Sequence, residues 1–166
     1  MGSEMCIRDR SIANAFVFSR LDYCNSILSL CNKRTICRLQ RKQNCLARLV
    51  KNLPRRSSTS PAIKELDWLR VSERVLYKIC CFVHKCLYGN SPIYIVNLLS
   101  SPLSVRVLRS QDSCILFTPT SRLVSVRPAF YFHNPRLWNA LAVSLRLESQ
   151  FSVFKRRLKS HLLSSN

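Results

Sequence analysis

Only two of the 166 residues are glycine, Gly2 and Gly89. Glycine is the residue that takes positive φ without steric cost. A chain with so little of it has few free positions for left-handed turns, and it holds no glycine-rich phosphate loop. Nucleotide-binding folds built on such loops are therefore disfavoured. Helices joined by polar or proline-marked connections are favoured instead. Hydrophobic residues make up 47% of the chain and charged residues 21%. That is a globular balance, enough for one modest core or two small helical units.

The apolar spacing supports this. Ser11 to Leu30 carries Ile12, Phe16, Tyr23 and Ile27 at helical steps. A polar turn at Asn32 to Arg34 precedes a second helix, from about Lys33 to Asn52. Ile36, Leu39, Leu46, Leu49 and Val50 form its apolar side, opposite Arg34, Arg38, Arg41, Lys42, Arg48 and Lys51. It should stop before Leu53-Pro54, because a residue preceding proline avoids the α region. The polar run from Arg55 to Pro61 reads as a linker. A short helical turn, Ala62 to Leu66, comes next. Ser72 has the character of an N-cap for a helix carrying Val75, Leu76, Ile79, Phe82, Val83 and Leu87, with Gly89 as its C′ residue. Pro92 starts another short helix. Residues 103–133 lose the helical period, and Cys114–Phe117 and Ala129–Phe132 read as short strands or extended segments. A helical turn after Pro135 and a last helix from Gln150 to Leu163 complete the chain. The expected fold is mainly α: basic amphipathic helices with a short irregular or β segment around 103–133. The expected organisation is a basic helical pair over 11–53, a linker over 54–61 and a C-terminal helical region over 62–166.

Charge bounds the function. Lys and Arg number 27 against 8 Asp and Glu, a net +19. Such a surface repels itself unless a polyanion is present, and clustered cations on a foldable chain are the electrostatic footprint of phosphate binding. The cations expected to touch RNA or DNA are Arg38, Arg41, Lys42 and Arg48, then Arg55 and Arg56, then Lys155, Arg156 and Lys159. Arg106, Arg109, Arg122 and Arg127 add charge in connections. Arginine suits this task because its planar fork bonds two phosphate oxygens. Tyr23, Tyr77 and Tyr88 are candidates to stack on bases, whereas Trp68 and Trp138 read as core. No apolar run reaches the ~18 residues of a membrane span, and no signal-peptide pattern is expected.

Catalysis finds little support. Metal-dependent polymerases and nucleases need clustered carboxylates. Outside the first ten residues the acids are Asp22, Glu65, Asp67, Glu73, Asp112 and Glu148, and only Glu65 and Asp67 are close. Asp22 reads as a cap or a partner for Arg20. No Gly-x-Ser-x-Gly elbow occurs. Nine cysteines, odd in number and irregular in spacing, suggest a reduced intracellular protein. Cys80, Cys81, His84 and Cys86 are zinc-type ligands, but all fall in one helix, and Cys80, Cys81 and Cys86 alternate with its apolar residues, where cysteine acts as a small hydrophobe. Cys24, Cys31, Cys37 and Cys45 on the first two helices carry the same core reading. No cofactor is expected, and the chain itself is not expected to be an enzyme.

Met1 to Arg10 does not fit the rest of the chain. Glu4-Met5-Cys6-Ile7-Arg8-Asp9 looks like a translated sequencing adaptor. Beyond it, Ser19-Arg20-Leu21-Asp22-Tyr23-Cys24-Asn25-Ser26, then Leu39-Gln40-Arg41-x-Gln43-Asn44-x-x-Ala47-Arg48-Leu49-Val50, then Glu65-Leu66-x-Trp68-Leu69-x-Val71-x-x-Arg74 occur in series. Lys85-x-Leu87-x-Gly89, Pro92-x-Tyr94-Ile95 and Leu108-Arg109-Ser110 come after them. Pro135-Arg136-Leu137-Trp138-Asn139-Ala140-Leu141 and Phe154-Lys155-x-x-Leu158-Lys159-x-His161-Leu162 close the series. In this order the blocks resemble the region after the reverse transcriptase palm of Jockey-like non-LTR (LINE-type) retrotransposons. The resemblance implies a parent RNA-directed DNA polymerase with an endonuclease, whose catalytic Asp-Asp motif lies upstream of Ser11. It implies that this C-terminal, non-catalytic region grips template RNA and target DNA. It further implies the rest of the polyprotein as a partner and the nucleus or cytoplasm as location. Ala142 and Pro128 depart from the family pattern, and family members carry aliphatic residues or alanine where this chain has Cys80, Cys81 and Cys86. These departures suit a drifted copy.

Overall fold

The computed structural model describes residues 11–12, 14–23, 25–29, 31–89, 91–99, 114–118 and 130–164. Among these the chain is mainly helical and contains no strand. A π-helical turn, Asn14–Phe18, leads into α1 (Ser19–Asp22), α2 (Asn25–Leu28), α3 (Lys33–Val50), α4 (Ser60–Glu65), α5 (Val71–Tyr88), α6 (Ile93–Leu99), α7 (Phe130–Asn139), α8 (Val143–Arg146) and α9 (Phe151–Ser164). The chain divides into two compact units. One holds the chain up to Val75 together with Leu162–Asn166, and the other holds Leu76–His161. The division falls inside α5, and the polar segment 54–61 lies within the first unit. The adaptor-like residues 1–10 lie outside the described residues, as do Arg106, Arg109, Arg122, Arg127 and Asp112.

The scarcity of glycine is met by asparagine and aspartate. After α3, Asn52 takes φ +50°. Its N–H bonds to Leu49 O at 3.1 Å, and Leu53 N–H bonds to Arg48 O at 2.9 Å. After α4, Asp67 takes φ +57°, its N–H bonds to Lys64 O at 2.9 Å, and Trp68 N–H bonds to Ile63 O at 3.0 Å. Both ends are complete Schellman motifs, in which a left-handed residue lets the chain satisfy the last carbonyls of a helix. Short polar side chains tolerate that conformation best after glycine. Gly89, the expected left-handed C′ residue of α5, does not have positive φ. Its constraint is space: a Cβ there would sit 2.8 Å from Lys85 O.

In the first unit Phe18, Ala47, Val50, Ala62, Ile63, Leu66 and Trp68 form the core, and Phe18 meets Trp68 edge-on at 4.7 Å between centroids. Two glutamines of α3 lock the next elements to it. The Gln43 amide, fully buried, donates to Leu69 O at 2.8 Å. Gln40 Oε1 accepts from Val71 N at 2.9 Å, so a side chain from another helix satisfies an orphan donor at the start of α5. Glu73 accepts from Arg70 N at 3.0 Å, the reach-back half of a capping box. The helix thus starts at Val71, capped by Glu73 and Gln40, and Ser72 is inside it rather than its N-cap. Gln43→Leu removes the donor to Leu69 O and should cost about 1–3 kcal/mol. Urea unfolding followed by circular dichroism checks this, and an unchanged midpoint would refute the lock.

In the second unit Trp138, Phe154, Leu158, Val83 and His84 are fully buried. The Trp138 indole N–H donates to Cys114 O at 2.8 Å. The Asn139 amide bonds both backbone groups of Leu116, accepting at 2.9 Å and donating at 2.7 Å. Among the described residues neither stretch forms a strand: 115–118 stays outside any helix, whereas the second stretch is helical where it is described. Phe130–Phe132 open α7, which runs through Pro135, and Leu116 pairs with a side chain instead of a strand. The aromatic run took helix because its apolar positions continue at helical steps into Leu137, Trp138 and Leu141, overriding the strand preference of Phe and Tyr.

Candidate nucleic-acid interface

α3 owes its length and its single buried face to its sequence. The Asn32 side chain accepts from Thr35 N at 2.9 Å and caps its start. Gln43, Ala47 and Val50 are buried along one side. Arg34, Arg38, Arg41 and Lys42 are exposed on the other, and Arg34, Arg38 and Arg41 stand three and four residues apart, over a rise of about 10 Å. Among the described residues no carboxylate pairs with these four.

The described carboxylates are spent elsewhere. Asp22 grips Arg74 through two bonds, at 2.5 and 2.7 Å, and the Arg74 guanidinium also lies 4.4 Å from the Phe18 ring centre. This fork-to-fork pair, 52 residues apart in sequence, replaces the expected local partner Arg20. Glu65 pairs with Lys51, and Glu148 with Arg157 at 3.1 Å. Glu65 and Asp67 do not form a paired acid site, since Asp67 is the left-handed terminator of α4.

The remaining candidates divide between the units. Arg48 is half-buried, and its Nε donates to Ser57 O at 3.3 Å. It ties the 54–57 turn to the last turn of α3, and this places the exposed Arg55 and Arg56 beside that helix end. Leu49, expected on the apolar side, is 74% exposed. Lys155, Arg156 and Lys159 belong to α9 in the second unit, with the first two exposed and Lys159 half-buried. Trp68 and Trp138 are buried, as expected. Tyr88 Oη donates to Arg146 O at 2.8 Å. Tyr23 is 78% exposed.

The cysteine-histidine run of α5 faces inward. Cys80, Cys81 and Cys86 are buried, and burial pushes the Cys80 thiol up to about 12, with Cys81 adding to it. Thiolate is the form that binds metal or attacks, so these side chains serve packing. Among the described residues no group of three or more His, Cys, Asp or Glu is placed to hold a metal ion. His84 is the core residue that periodicity missed. Its ring stacks on Phe154 at 4.3 Å and lies 4.8 Å from Tyr88, and its Nε2–H donates to Glu148 O at 2.7 Å. A histidine two positions from the expected Phe82 gave no apolar signal, yet Phe82 is 36% exposed and His84 is 1% exposed.

Burial lowers the His84 pKa, against the opposing pull of Glu148, and burial then Arg136 lower that of His133. The folded state therefore favours neutral imidazoles, whereas the unfolded chain takes up protons near 6.5. Stability should be full above that value and fall as pH drops from it through the lowered folded values. Thermal melts between pH 7.5 and 5 measure this, and a flat profile would refute it.

No helix among the described residues is long and apolar enough to cross a membrane. Comparison with protein-family models, curated proteins and solved structures finds no match.

Proposed function

We propose that this chain is a non-catalytic C-terminal piece of a non-LTR retrotransposon RNA-directed DNA polymerase, working in the nucleus or cytoplasm, and that it binds the backbone of RNA or DNA through basic helix faces. The observation that carries the binding reading is the stripe Arg34, Arg38, Arg41 and Lys42 on α3. These side chains are exposed, without carboxylate partners among the described residues, and mounted on a helix whose opposite side is locked into a core. Arginines held on a rigid face present phosphate-binding forks without further ordering cost. Arg55 and Arg56 extend the same unit's charge, and Lys155, Arg156 and Lys159 supply a second face. The polymerase assignment rests on the ordered sequence blocks alone.

Binding should tolerate sequence and weaken steeply with salt, because each phosphate neutralised releases counterions. Gel shifts with a generic RNA hairpin and a DNA duplex across a salt series test it. Folded protein that gives no shift at low salt would end the reading.

A second reading, a segment that only packs on the rest of a polymerase, is favoured by the apolar exposure of the first unit's start. Ile12, Phe16, Tyr23 and Ile27 are between 56% and 78% exposed. A cooperative melt of the isolated chain favours a module that stands alone, and a disordered spectrum favours the packing segment.

A further inference from the structure

A second basic feature lies wholly within the second unit and owes nothing to α3. Phe151 opens α9, and two ammonium groups approach its ring. Lys85 Nζ, from α5, lies 4.9 Å from the ring centre, and Lys155 Nζ, one turn along α9, lies 5.4 Å from it. Lys78 stands seven residues before Lys85, two turns away on the same face of α5. All three lysines are exposed. Their convergence is visible at a further atom, the Cys81 thiol. Burial raises that thiol, while a hydrogen bond with Tyr77 and the charges of Lys155, Lys78 and Lys85 hold it down in part. Lys85 and Lys155 thus bring two like charges from two helices to one ring, with Lys78 on the same face of α5. The unit's described carboxylate, Glu148, is engaged with Arg157. Like charges gathered this way repel one another until an anion enters. The aromatic ring steadies the ammonium groups without neutralising them.

We propose that Lys78, Lys85 and Lys155 form a phosphate-binding site around Phe151, with a phosphate group of nucleic acid or of inorganic polyphosphate as ligand. Lysine is a point donor free to rotate, so the site would take phosphate by charge and not by planar recognition. It deepens the nucleic-acid reading by adding Lys78 and Lys85 on α5, a helix outside the basic faces from which that reading was drawn.

The test is limiting acetylation of lysine amines on the full chain, with peptide mass spectrometry. The probes are inorganic tripolyphosphate, a short single-stranded RNA, and polyglutamate matched in charge. Joint protection of Lys78, Lys85 and Lys155 by tripolyphosphate and by RNA, beyond that of the exposed Lys64, supports the site. Equal protection by polyglutamate, protection by RNA alone, or protection by neither phosphate probe would overturn it. Lys85 and Lys155 are themselves exposed, and Lys85→Gln and Lys155→Gln should each weaken tripolyphosphate binding roughly two- to fivefold, the range of an exposed ion pair. Unchanged affinity in both, with an unchanged melt, would also overturn it. The R34Q/R38Q/R41Q variant separates the two readings. Protection of the three lysines by tripolyphosphate should survive in it even where its RNA shift is lost.

Discussion

Replacing Trp138 with alanine should cost about 3–5 kcal/mol, the range for truncating a buried aromatic side chain, and leave the second unit unfolded or nearly so at room temperature. The indole is fully buried, lies 5.8 Å from Phe154 and 6.4 Å from His84, and carries the hydrogen bond to Cys114 O. The substitution removes packing and leaves that carbonyl without its donor. Trp138→Phe separates the two contributions. It keeps one aromatic ring and loses the donor with the rest of the indole, and the lost donor should cost about 1–3 kcal/mol. Trp68→Phe is the natural control, because the Trp68 indole nitrogen is buried and has no hydrogen-bond partner. It should cost less than Trp138→Phe. Urea midpoints for the three variants decide the matter, and a Trp138→Ala protein as stable as the parent would contradict the packing described.

The R34Q/R38Q/R41Q triple variant should bind RNA roughly ten- to hundredfold more weakly at low salt, at about 0.5–1 kcal/mol for each exposed charged contact. The more specific expectation concerns salt. Each lost phosphate contact reduces the slope of log affinity on log salt by about 0.7 on a single strand, so three should flatten it by about 2. Its melting temperature should not fall, since the three guanidinium groups are exposed and have no carboxylate partner among the described residues. Removing like charges relieves repulsion. A gel-shift slope equal to that of the parent would mean that α3 is a solvated face and that binding lies elsewhere.

These two variants mark what the sequence could and could not tell. The positions of α3, α5 and α9 were legible because apolar residues recur there at three- and four-residue steps. The exposure of Arg38, Arg41 and Lys42 followed from the same period. The buried face of α5 was only partly legible: the cysteines read as core, but His84, which shares that face, carries no apolar signal. The polar locks were invisible. Asp22 and Arg74 are separated by 52 residues, and Gln43 and Leu69 by 26, so no local pattern announces them. Several of these residues nevertheless lie in the ordered blocks, among them Asp22, Gln40, Gln43, Arg74, Trp138 and Asn139. At these positions the structure shows bonds within the protein. The device that ends α3 was invisible for a related reason. Pro54 is the local stop signal after α3, but Asn52 ends the helix by turning left-handed, which only the backbone reveals.

The Asn139 amide that holds both backbone groups of Leu116 has a consequence for how the protein behaves when concentrated. A peptide strand that recruits another strand leaves an open row of donors and acceptors, an edge on which further chains can add. Here a side chain planted on a helix stands in for the second strand and occupies both backbone groups of Leu116. At Leu116 the donor and the acceptor are thereby taken up and no longer offered to another chain. In a chain whose folding leaves Ile115 and Phe117 about half exposed, that is a barrier to edge-to-edge aggregation. Substituting Asn139 would weaken it before it weakened the helices.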